Sequence, residues 1–156
     1  MANLYRIIAS TLQEKRKSHS ERNNHILELV ALGNKIFVSY ENFLKSPLGS
    51  VTDSAFISDF RYDNYEAVNL YGLPVGADRH LHFNIITAVK MMDDQHEFFG
   101  VKVEIFKESD DFFVSLGIED CVIFDFPITR VEDYLLKMSL VIRQFVTQMS
   151  IGRILV

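Results

Sequence analysis

The chain has 156 residues, 48% of them hydrophobic and 12% aromatic, and a formal net charge of −5 at pH 7, enough apolar material to bury one sizeable core in a single domain over 1–156. No apolar run has the length of a bilayer span, and "MANLYRIIASTLQEKRK" lacks the pattern of a secretory leader, so a cytoplasmic protein without a membrane partner is expected. The single cysteine, Cys121, excludes an internal disulfide and any Cys-rich zinc framework.

Residues 1–46 read as a helical segment. Leu4, Ile7, Ile8 and Leu12 fall at helical spacing, and a second stripe runs through Ile26, Leu29, Val30, Ile36, Phe37, Tyr40, Phe43 and Leu44. Between them "KSHSERNN" is polar on every side, and Ser18 with Glu21 has capping-box spacing, so a helical pair with a break there is preferred. The alternative is one continuous helix over about residues 3–45, roughly 60 Å long at 1.5 Å per residue. Pro47 stops the helix in either case.

From Val51 the apolar period changes to two. Strands are predicted at 55–60, 66–73, 81–92, 98–107, 112–116 and 121–126, joined by short turns that favour an antiparallel meander of about five strands over 51–127. Pro127 closes the last strand. Thr129 and Glu132 repeat the capping-box spacing, and Val131, Leu135, Met138, Val141, Ile142, Phe145 and Met149 mark a terminal helix over 129–150. The predicted class is therefore α+β, with the helices packed on one face of the sheet.

His80 and His82 share the more polar face of their strand. A hairpin centred near Gln95 puts His82 opposite Glu108 and His80 opposite Asp110, and those four residues are the candidate ligands for zinc, manganese or non-haem iron. The bland alternative is a pair of polar residues on a solvated strand face, gaining about 0.2–1 kcal/mol each from cross-strand carboxylates. Cys121 follows Glu119 and Asp120, whose charges suppress a thiolate, so no nucleophile is assigned to it. "YGLPVGADR" has neither the dinucleotide nor the P-loop spacing. No catalytic set and no cofactor is expected.

Charge is segregated along the chain. Residues 1–50 carry 7 Lys/Arg against 4 Asp/Glu, whereas residues 51–156 carry 9 against 17. Lys15, Arg16, Lys17 and Arg22 form only a small basic cluster, so direct nucleic-acid binding is not expected. The leading expectation is a non-enzymatic interaction module, an adaptor, chaperone-like factor or inhibitor, offering an acidic and partly aromatic surface to a basic protein partner. Its acidic contacts are assigned to Glu108, Asp110, Asp111, Glu119 and Asp120, and its aromatic anchors to Phe98, Phe106 and Phe112. A metal-dependent enzyme centred on His80 and His82 is the alternative. A structural subunit or homo-oligomer built through the wide helix stripes is the third.

Overall fold

A computed structural model describes residues 2–61, 65–75 and 77–155, and the side chains of residues 6–13, 24–61, 65–75 and 77–152. The elements in order are α1 (Ala2–Lys45), β1 (Ser54–Ser58), a 3-10 turn (Leu70–Gly72), β2 (Leu81–Lys90), β3 (His96–Glu108), β4 (Asp111–Gly117), β5 (Cys121–Pro127), a second 3-10 turn (Ile128–Arg130) and α2 (Val131–Leu155). The strands form one antiparallel sheet in sequence order, the α+β meander expected from the change of period at Val51.

The N-terminal segment is one helix of 44 residues, about 66 Å long at 1.5 Å per residue, and not a pair. A capping-box spacing starts a helix only if something ends the one before it, and no glycine or proline occurs before Gly33. The side chains of Ser18 and Glu21, like those of Leu4, Lys15, Arg16, Lys17 and Arg22, lie outside the described residues. The second half of α1 packs on the sheet through Leu29, Leu32, Ile36, Tyr40, Phe43 and Leu44, all buried at helical spacing. In the first half every described side chain, residues 6–13, is exposed.

α2 lies beside α1 in the same chain direction, with Lys35 paired to Glu132 at 3.5 Å and the hydroxyls of Ser39 and Ser139 3.3 Å apart. It buries Val131, Met138, Ile142 and Val146. The Thr129–Glu132 capping box does not form, because residues 128–130 make a 3-10 turn whose cap, Pro127, has no side-chain hydrogen bond. Both helices cover the face built by Leu81, Phe83 and Ile85 of β2, Val101, Val103 and Ile105 of β3, and Phe112, Val114 and Phe126 beyond them, which form one contiguous core.

The strand expected at 66–73 is absent. Val68 N–H donates to the Ile57 carbonyl at 2.9 Å, but the Asn69 side chain then accepts from Tyr71 N–H at 3.0 Å and turns the chain into a 3-10 turn. Leu70 plugs the core at Gly33, where an added Cβ would lie 2.9 Å from the Leu70 Cδ1.

The β2–β3 hairpin also differs in register. Its turn runs over residues 91–95, closed by Met91 N–H to the Gln95 carbonyl at 2.7 Å, with Asp94 in the left-handed region at φ 63°. His82 therefore faces Glu104, and Leu81 faces Ile105. The expected pairing of His82 with Glu108 is displaced by four residues. Four is even, so every side chain stays on its expected face and the apolar pattern suits either register. The turn geometry chooses between them.

Candidate functional site

The face of the sheet turned away from the helices carries the groups with chemical potential. Across β5, β4, β3 and the entry to β2 runs a row of Asp125, Phe113, Phe106 and His80, in which Phe106 stacks on Phe113 at 4.9 Å and on His80 at 4.2 Å, nearly parallel in both cases. The neighbouring row is Ile123, Ser115, Glu104 and His82, and Phe60 lies on the His82 ring at 5.1 Å. Both imidazoles are thus held by aromatic contacts before any ligand is considered.

The strand periodicity that placed His80 and His82 on one face also brings Glu104 to them. His80 Nδ1 lies 2.5 Å from Glu104 Oε1. Arg79 sits in the left-handed region at φ 62°, which folds Asp78 back so that its Oδ1 accepts the His80 backbone N–H at 3.0 Å. The other oxygen, Oδ2, is 3.2 Å from His82 Nε2 and 3.7 Å from His80 Nδ1. The Asp78 carboxyl is held below the usual carboxylate value, chiefly by that backbone N–H and next by the His82 ring N–H. Ligand atoms of Asp78, His80 and His82 all lie within 4.8 Å of one another.

Two of the four metal candidates therefore come together, and the carboxylates beside them are different ones. Glu108 borders a depression of about 330 Å³ shared with His25, Arg79 and His80, while Asp110 stands exposed in the β3–β4 turn. Asp78 and Glu104 take their places. The "DRHLH" run held a signal for Asp78, since Asx residues commonly bond the backbone two residues on. Glu104 became visible only with the register.

The acidic contacts expected for a partner do not form one patch. Glu108, Asp110 and Asp111 cluster at the β3–β4 turn, whereas Glu119 and Asp120 lie in the β4–β5 turn at the other end of β4. Phe98 is exposed and touches Phe56 and Tyr65 near the opposite end of β3 from Phe106. Phe112 is buried in the core, 2% exposed, because it sits one residue out of phase with the open face; Phe113 occupies the position expected of it. Cys121 is exposed and edges a cavity of about 210 Å³ that also touches His82, Glu104 and Ser115.

Comparison of the chain with protein-family models, with curated proteins and with solved structures gives no match in any of the three. Among the described residues, no helix is long and apolar enough to cross a membrane.

Proposed function

We propose that the protein is a non-enzymatic interaction module that presents the helix-free face of its sheet to a basic protein partner. The observation that supports this is the stacked Phe113–Phe106 pair on that face, flanked by Asp125 and Glu104 and bounded at the β3–β4 turn by Glu108, Asp110 and Asp111. Aromatic rings beside carboxylates suit a partner that brings both apolar surface and Lys or Arg, the former supplying affinity and the latter steering and orientation. Phe106 and Phe113 are the anchors in this reading, with Phe98, Glu119 and Asp120 as outlying contacts.

Affinity capture from native extract at low and high salt, run beside the Glu108→Lys, Asp110→Lys, Asp111→Lys variant and beside Phe113→Ala, tests it. A basic partner that is bound at low salt and weakened at least about tenfold by either variant supports the reading, since screening within roughly 10 Å weakens exposed charge contacts. Retention of the same partners by both variants overturns it.

A second reading, a subunit that associates through its helices, is favoured by one observation: Ile7, Ile8 and Leu12, among the described residues of the first half of α1, are each more than half exposed. An apolar stripe on a helix lacking a partner is an assembly surface in the making. Sedimentation over a concentration series distinguishes a self-associating chain from a monomeric one.

A further inference from the structure

We propose that Asp78, His80 and His82, with Glu104 beside them, form a zinc-binding site at the entry to β2, beyond the partner-binding role of the open face. A tetrahedral zinc ion with bonds of about 2.0–2.1 Å holds its donors about 3.3 Å apart. Asp78 Oδ2 stands 3.2 Å from His82 Nε2 and 3.7 Å from His80 Nδ1, and all three residues' ligand atoms lie within 4.8 Å of one another, so small side-chain shifts bring three donors onto such an ion. Glu104 Oε1 lies 2.5 Å from His80 Nδ1, a contact that the ion displaces, which leaves this carboxylate beside the three donors.

The chemistry of the set points to the same ion. Two neutral imidazoles and two carboxylates balance a divalent charge, and mixed nitrogen and oxygen donors in a small cluster suit zinc rather than calcium or magnesium, which take six or more oxygen ligands. The rings are also pre-oriented. Phe106 stacks on His80 and Phe60 lies on His82, so little side-chain freedom is lost when an ion enters. The Asp78 carboxylate is fixed from behind by the His80 backbone N–H, a partner of the kind that orients metal ligands. His80 and His82 are each about a quarter to a third exposed, so an ion can reach the cluster from solvent.

Isothermal titration of the untagged, chelator-stripped protein with Zn²⁺, and of the same protein with Co²⁺ followed by visible absorption, tests the site. One ion per chain at micromolar free metal, with the intense cobalt bands of four-coordinate geometry, is the expected result. His82→Ala should weaken binding by more than about 100-fold, and Glu104→Gln by about 10-fold or more, magnitudes at and above those seen when partners of ligands are removed. His96→Ala, outside the cluster on β3, should leave binding unchanged. Zinc should raise the melting temperature of the wild-type chain and not that of the His80→Ala, His82→Ala variant.

The proposal is overturned if micromolar zinc does not bind, or if that double variant binds zinc as the wild type does. Weak octahedral cobalt bands also overturn it. Should the double variant fail to fold, as judged by circular dichroism, Asp78→Asn and His82→Ala decide by the same criteria. Loss of zinc binding in Asp78→Asn with protein capture unchanged would separate this site from the partner-binding reading.

Discussion

Tyr40 shows how one buried polar group ties helix to sheet. Its side chain is fully buried on α1 and its hydroxyl meets Thr87 Oγ1 of β2 at 2.8 Å, so neither group is left without a partner. Burial is the main influence on the phenol and raises its pKa above the ordinary 10.0. The folded state then holds this proton more tightly than the unfolded state. The associated stability is fully present below pH 10 and is lost as pH rises through the folded value. Tyr40→Phe should remove that alkaline loss while costing about 1–2 kcal/mol at neutral pH, because Thr87 loses its buried partner; urea titrations at neutral and alkaline pH measure both effects. A second tie joins α2 to the chain just before β1, where Arg143 Nη1 lies 2.8 Å from Asp53 Oδ2 and the Asp53 side chain is 3% exposed. Asp53 Oδ1 also accepts the Lys90 backbone N–H at 3.2 Å. Asp53→Ala is expected to cost about 2–3 kcal/mol, the loss of one charged hydrogen bond and of the ion partner of Arg143 at a largely buried site, measured by the same titration.

Between elements, close approach and turn geometry decide the outcome. At Gly33 α1 presses on Leu70 and Phe83, which a Cβ would meet at 2.9 and 3.2 Å. Gly33→Val should therefore destabilise by about 1–3 kcal/mol despite valine's better helix propensity, because the core must spread to admit it. At the β2–β3 turn Asp94 occupies φ 63°, a conformation that glycine adopts freely. Asp94→Gly should keep the His82–Glu104 register and raise the unfolding free energy by up to about 1 kcal/mol, with the midpoint of denaturation as the readout. The surface pair of Lys90 with Asp94 that this substitution removes is too exposed to offset the gain.

Taken whole, the molecule is a helix-backed sheet from which the first half of α1 extends. Ile8 and Leu12 are each half exposed and lie outside the buried core, so Ile8→Lys with Leu12→Lys should leave the unfolding free energy of the packed body within about 0.5 kcal/mol of the parent, as measured by urea titration. If the chain self-associates through this stripe, the same variant should sediment as a smaller species. The two outcomes are independent, since one reads the core and the other reads the exposed helix face.

The change from a 3.6-residue to a two-residue apolar period was legible because burial of a helix or strand face leaves its mark in local sequence. That periodicity was enough for the strand order, the terminal helix and the placing of His80 and His82 on one face. Three features were not local. The continuity of α1 depended on the absence of a helix breaker outweighing a plausible cap; the 66–73 segment took its shape from Leu70 packing against Gly33; and the register of β2 on β3 was degenerate with respect to burial, because a shift of four residues preserves both faces. On that register rested the place of Glu104 beside the histidines. The amino-acid sequence by itself determined which residues face the core and which face out, because hydrophobic burial reads side-chain alternation. Only the tertiary structure decided that Glu104 meets the histidines, because hydrogen bonding in a turn, and not burial, sets which residues stand opposite.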